Sequence, residues 1–252
     1  MTLSRMLAAA AALISVGIVS ACGAGDTRAI IHADGASILP SDSLQDWATY
    51  GDAVVEWTPT GELRVDPTSE EVKNGEGTIT RLVTVKTTQT LWTRPSAPKT
   101  LKSPTSLTIA NGGWTFHGEE EKPFVLESQP RLEIGQRYLA ILSYADKTAR
   151  ASSTPKGPQW IALAYFALTS GVVTAPTTEQ DKATEATKEA TAATKVVAGK
   201  TLAGVKMLVA ATPVDPLAKP YLGIDPVLRF QKVSDARIAA SSYTPGPAPG
   251  ER

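Results

Sequence analysis

A period-two alternation of apolar and polar positions runs through most of the chain from Asp52 to Val173, and it predicts strands. Ala53, Val55 and Trp57 alternate with Val54 and Glu56. Thr60-Gly61 is a turn signal, and the short return strand Glu62 to Val65 is ended by Pro67. Thr68 to Gly77 is charged and holds two glycines, the pattern of a loop. Ile79 to Trp92 gives the clearest strand, with Ile79, Val83, Val85 and Leu91 on one face and Thr80, Thr84, Lys86 and Thr88 on the other. Arg94 to Pro104 carries three prolines and predicts an irregular connection. Asn111-Gly112, between Leu107–Ala110 and Gly113–Phe116, predicts a hairpin, because its tight turn requires positive φ. Pro123 to Leu126 and Tyr138 to Leu142 are further strands, and the second is apolar on both faces, as a central strand covered on both sides should be. Ala145 to Gln159 reads as a polar loop; Trp160 to Leu168 is again apolar on both faces and ends at Ser170-Gly171 before Val172-Val173.

The flanks follow other periods. Ser41 to Tyr50 predicts a helical turn, capped by Ser41 or Asp42, with Leu44 and Trp47 on one face. Thr177 to Lys195 holds alanine, threonine, glutamate and lysine without a large apolar side chain, so it predicts a solvated helix or disorder rather than docking. Thr201 opens a short apolar helix stopped by Pro213, and Asp225 caps a second one with Pro226 at its first position. The organisation that results is a tether over 22–43, a β domain over 44–173, a low-complexity linker or insertion over 174–200, a helical extension over 201–240, and a Pro- and Gly-rich disordered tail over 241–252. The fold class expected is mainly β: a small antiparallel, partly closed barrel with two carboxy-terminal helices packed outside, or in the alternative a β-sandwich.

The amino terminus changes where this domain is expected to live. Arg5 precedes an uncharged apolar run from Met6 to Val19, the charged and hydrophobic regions of an export signal, too short to span a bilayer. Val19-Ser20-Ala21-Cys22 resembles the lipobox of bacterial lipoproteins. That resemblance implies cleavage between Ala21 and Cys22, diacylation of the Cys22 thiol, and anchoring on the outer face of the cytoplasmic membrane. Simple secretion is the alternative. Cys22 is the lone cysteine, so the folded part has no disulfide and no cysteine-metal chemistry.

Charge excludes one class of partner. The chain holds 25 basic and 25 acidic side chains, and no basic stripe that a nucleic acid would require. Catalytic motifs are equally scarce: no Gly-x-Ser-x-Gly elbow and no His-Glu-x-x-His pair occurs. Gly199-Lys200-Thr201 echoes the end of a phosphate loop, but Thr194 stands where its first glycine belongs, so it reads as a turn into a capped helix. No cofactor or metal motif is present. The binding candidates are Trp114, near a turn and able to stack on a sugar, and His117, Glu119 and Glu121, two apart and expected to share one strand face. A solvated charged loop is the simpler reading of the last three.

Asp52-Ala53-Val54-Val55, then Val83-Thr84-Val85, then Gly135-Gln136-Arg137-Tyr138-Leu139-Ala140-Ile141-Leu142 form an ordered series. It resembles the strand order in the small barrels of tissue inhibitors of metalloproteinases and netrin-type modules, over about Asp52 to Leu168. Those relatives rely on disulfides and an amino-terminal cysteine, so protease inhibition is not implied. As a whole the chain resembles uncharacterised surface lipoproteins of Gram-positive bacteria with high-GC genomes. The function expected is a noncatalytic binding or interaction module, with an envelope protein or cell-wall glycan as partner; a carboxylate-dependent envelope hydrolase is the alternative.

Overall fold

The computed structural model describes residues 31–33, 39–97, 101–126, 130–145, 159–174 and 191–241. Cys22, Ala21, the polar loop after Ala145, the segment 177–190 and the tail beyond Ser241 lie outside them. The fold is mainly β. Eight strands form one open sheet in the order β1-β5-β4-β3-β2-β6-β7-β8. They are β1 (Ile31–Ala33), β2 (Ala53–Val65), β3 (Glu76–Thr93), β4 (Ser106–His117), β5 (Glu120–Leu126), β6 (Tyr138–Ala145), β7 (Gln159–Thr169) and β8 (Val172–Val173). All pairings are antiparallel except β1 with β5. Helices α1 (Leu44–Tyr50), α2 (Ser69–Asn74), α3 (Ala192–Val197), α4 (Leu202–Ala211) and α5 (Pro226–Ser241), with a 3-10 helix at Pro216–Tyr221, complete it.

Both faces of the sheet bury apolar side chains, and β6 shows why it lies centrally. Its Leu139 and Ile141 join one cluster with Val54, Phe166 and the helical residues Trp47, Val197, Val205, Val209 and Val227. Its Tyr138, Ala140 and Leu142 join another with Ala53, Val55, Trp57, Val83, Val85, Tyr165 and Leu132. The second face is concave. Asn111 on β4 donates to the Tyr165 hydroxyl on β7 at 2.6 Å, although β3, β2 and β6 lie between those strands. In a flat sheet four strand spacings separate them by about 19 Å, more than an asparagine and a tyrosine can bridge. The sheet therefore curls over this face as a partial barrel, with β1 and β8 as its unclosed edges.

Bulges supply the bend, since each extra residue raises the local twist. The β2–β3 register slips at Val54/Val55, Glu56/Trp57 and Pro59/Gly61, the β3–β4 register at Thr80/Leu82, and the β6–β7 register at Ile141/Leu142. Two expected turns are such slips. Thr60-Gly61 does not reverse the chain; β2 runs through it to Val65. Asn111-Gly112 lies inside β4, opposite Arg81, and the hairpin falls instead at Gly118-Glu119, where Gly118 has φ 58°. The slips also move Leu91 off the face of Val83 and Val85 and into the helix-side cluster.

Other expectations are corrected by local chemistry. Thr68 to Gly77 is not all loop: Thr68 and Glu71 form a capping box for α2, and Gly75 ends it at φ 72°. Helix α1 is capped by Ser43, not Ser41 or Asp42, again with a reciprocal partner, Asp46. The stretch read as tether holds β1, which includes His32, and the buried Leu39. At the end of the segment read as undocked, α3 buries Ala193 and Val197 completely, and the Ala193 amide donates to the Asp42 carbonyl at 2.8 Å. Small apolar residues four apart suffice where the partner surface approaches closely. The reading of α4 and α5 agrees: Thr201 accepts from the Gly204 amide, and Asp225 accepts from the Val227 and Leu228 amides. Gly199, at φ 75°, makes the turn before Thr201.

Candidate functional site

The connection from β5 to β6 must cross the sheet, because β4, β3 and β2 separate those strands. Its described part, 130–137, passes over the mouth of the concave face and is held there by a buried polar hub. Asn111, 1% exposed, uses its whole side-chain bonding capacity. Its Oδ1 accepts from the Leu132 amide at 2.7 Å and from Arg81 Nη1 at 3.2 Å. Its Nδ2 donates to the Pro130 carbonyl at 3.2 Å and to the Tyr165 hydroxyl at 2.6 Å. Arg81, 2% exposed, also donates to the Leu132 carbonyl at 2.7 Å and pairs with Glu62. Leu132 itself is fully buried and fills the mouth. The Tyr138 hydroxyl accepts from the Glu133 amide and donates to the Arg131 carbonyl, which fixes the last turn of the loop.

Glycine is obligatory beside the hub. A Cβ on Gly112 would meet the Phe124 carbonyl oxygen at 2.3 Å, and one on Gly113 the Ile79 carbonyl oxygen at 2.0 Å. Burial raises the Tyr165 and Tyr138 hydroxyls above the usual phenol range, the first strongly, so both stay protonated.

On the rim of this mouth sits Trp114. Register places it opposite Ile79 and Pro123, on the same face as Arg81. The Arg64 guanidinium lies over its ring at 4.2 Å and that of Arg131 at 5.0 Å. Arg64 in turn binds both carboxylate oxygens of Glu121, at 2.8 and 2.9 Å. Trp114 and Glu121 are thus joined through one arginine, while the other two candidates stand apart. His117 is on the opposite strand face, 85% exposed, 3.6 Å from Glu76. Glu119 occupies the hairpin tip. The expectation that His117, Glu119 and Glu121 share a face fails because the chain reverses between them: Glu121 pairs with Phe116, and His117 with Glu120. Among the described residues no group of three His, Cys, Asp or Glu side chains is placed to hold a metal ion.

A second buried polar knot ties the sheet to the carboxy-terminal helices. Asp52, 2% exposed, pairs with Arg94 and accepts from the Tyr144 amide at 2.8 Å. Arg94 donates onward to the Leu222 carbonyl at 2.7 Å. Arg229, fully buried, donates to the carbonyls of Thr49, Tyr221, Leu222 and Ile224. Burial first, and then the charge of Arg94, pulls Arg229 down to about 10, which leaves it cationic at neutral pH. Two further acids with little exposure, Glu56 and Asp215, face Arg137 and Arg237.

Sequence patterning missed the hub and the knot, yet it carried a signal for each. Arg81 falls on the apolar parity of β3 with Ile79, Val83 and Val85, and Arg229 on the buried stripe of α5 with Pro226 and Val233. A charge on an apolar register is a buried cation in search of acceptors. No protein-family model matches this chain, and neither a curated protein nor a solved structure resembles it.

Proposed function

We propose that the protein is a noncatalytic binding module, held on the outer face of the cytoplasmic membrane by lipid on Cys22, and that Trp114 and its arginines form its contact face. The observation that carries this reading is a half-buried tryptophan with the guanidinium groups of Arg64 and Arg131 at its ring, on the rim of a rigidly plugged barrel mouth. Tryptophan and arginine are the residue types concentrated at binding hot spots, and a ring already fixed loses less entropy on engagement. The partner is an envelope protein or a cell-wall glycan, each able to meet an aromatic face bordered by cations. Support for the noncatalytic reading comes from the buried carboxylates: Asp52, Glu56 and Asp215 are each engaged in an ion pair with an arginine, which leaves none of the three turned to a ligand. A glycan hydrolase requires two carboxyls that face the scissile bond from either side.

Two measurements test the reading. On detergent phase separation the wild type is expected in the detergent phase, and Cys22→Ser is expected to stay unprocessed and to be shed or mislocalised; a wild type in the aqueous phase defeats the anchor. A photoreactive residue in place of Phe116, two positions from Trp114 on its strand face, is expected to capture an envelope protein or glycan in cells. Capture is expected to vanish with Trp114→Ala, and a probe in place of Lys86 is expected to give none. Equal adducts from the three remove the contact face.

A further inference from the structure

We propose that the outer half of β2, Gly61 to Val65, pairs antiparallel with the same segment of a second copy about a two-fold axis at Leu63. The strand offers an edge there. Its inner half, Ala53 to Trp57, lies between β3 and β6, but Gly61 to Val65 pairs with β3 alone among the described residues. Such an edge is a template for another strand, and natural chains often blunt it with proline or with charged side chains, which repel where like charges meet across a pair. This one carries Glu62 and Arg64 on either side of Leu63, which is 63% exposed, and Val65, which is 40% exposed.

The spacing is self-complementary. A two-fold axis at Leu63 sets Leu63 against its own counterpart, Glu62 against Arg64 of the other copy and Arg64 against Glu62, and Val65 against Gly61. Opposite charges directly across a strand pair stabilise it, and the same surface serves both copies, as an isologous contact demands. Both charged residues lie on the concave face, since Glu62 is registered with Val83 and Arg64 with Arg81. Their existing bonds draw both side chains inward over their own sheet, Glu62 onto Arg81 and Arg64 onto Glu121, so pairing sets opposite charges across the axis without requiring either to give up its partner. On the convex face Leu63, Leu82 and Ala110 lie side by side across three strands. The two-fold operation extends that row into a continuous apolar stripe across both copies, which shields the otherwise exposed Leu63. Gly61 leaves room for the opposing Val65, because nothing lies within 4 Å of a Cβ built on it. Five paired residues make a small interface, so association is expected to depend on concentration.

Oxidative cross-linking of the full chain tests both the pairing and its register. Directly opposed positions of an antiparallel pair bring their Cβ atoms within about 4.5–5.5 Å, close enough for a disulfide after a small adjustment. Leu63→Cys is expected to give a covalent dimer on mild oxidation, well above the yield from Val72→Cys on α2 or Met207→Cys on α4, positions 60% and 71% exposed. A mixture of Gly61→Cys and Val65→Cys chains is expected to cross-link between the two kinds, with little product from either alone. If Leu63→Cys yields no more dimer than the two helix positions, the pairing is overturned. If Leu63→Cys cross-links but the Gly61→Cys and Val65→Cys mixture does not exceed its components, the antiparallel register is overturned.

Discussion

Replacing Asn111 by alanine removes four bonds from a buried site. The groups left behind are the Leu132 amide, the Pro130 carbonyl, the Tyr165 hydroxyl and one nitrogen of Arg81. Leaving a buried neutral partner unmade costs about 1–3 kcal/mol, and a charged one more. Arg81 keeps Glu62 and the Leu132 carbonyl, so its loss is partial. Relaxation of the loop, or entry of a water, recovers part of the remainder. A net destabilisation of about 4 kcal/mol follows, at the upper end for a single substitution. With a urea m-value of about 2 kcal/mol per molar for a domain of this size, the midpoint should fall by about 2 M. Thr108→Ala is the control on the same strand: its hydroxyl is exposed and, among the described residues, meets that of Thr84 at 3.3 Å. Its effect should stay within about 0.5 kcal/mol. Asn111→Asp separates the two halves of the side chain, because it keeps the acceptor for Leu132 and Arg81 but turns the donors toward Tyr165 and Pro130 into an acceptor. It should fall between the other two. If Asn111→Ala shifts the midpoint no further than Thr108→Ala, the loop is not held by the hub and the plugged-mouth argument fails.

Two other sites give contrasting expectations. Asp52→Ala strands Arg94 in the interior and should destabilise by about 3–5 kcal/mol, whereas Lys122→Ala, which breaks an exposed pair with Glu120, should change stability by less than about 1 kcal/mol; urea midpoints check both. Bonds from the Thr68 amide first, then the Thr68 hydroxyl and the Thr78 amide, hold the Glu71 carboxyl at about 2 instead of 4.5. Because the folded value is the lower one, its contribution is complete above about 4.5 and is lost as pH falls through about 2. The stability gap between wild type and Glu71→Gln should therefore close over that window, and a gap that stays constant from pH 5 to 2 refutes the capping-box account.

What the sequence made legible was whatever depends on period alone. Ala53, Val55 and Trp57 on β2, and the doubly apolar Tyr138 to Leu142, could be placed because side-chain direction in a strand alternates without regard to context. The caps Thr201 and Asp225 were equally local. Turns were harder, for a physical reason. Asn-Gly reports that positive φ is accessible, and a bulge in mid-strand uses that freedom as readily as a hairpin does. Here Gly112 takes φ 63° within β4, while the chain reverses at Gly118 inside a run of charges. No neighbour in sequence distinguishes the two, since Pro130, Leu132 and Tyr165, the partners that decide it, are far along the chain. Of the site, the sequence pattern points to Trp114 and Glu121 but carries no sign of Arg64, which joins them.

Those two kinds of hidden information have one cause. A bulge changes which face a residue occupies, so every slip in register rewrites the assignment of the residues beyond it. Leu91 shows the consequence: its odd number puts it with Val83 and Val85, yet after the slips it packs against the helices. The same slips bend the sheet until β4 and β7 face one another across the mouth, and only then can one asparagine reach both a tyrosine on β7 and the loop that crosses the opening. Once that loop is fixed, Arg131 arrives over Trp114 from one side of the mouth while Arg64 comes from β2. The aromatic face is therefore a product of curvature rather than of local sequence. A substitution that straightens β4, such as filling the space of Gly113, should disperse this face even though it touches neither arginine.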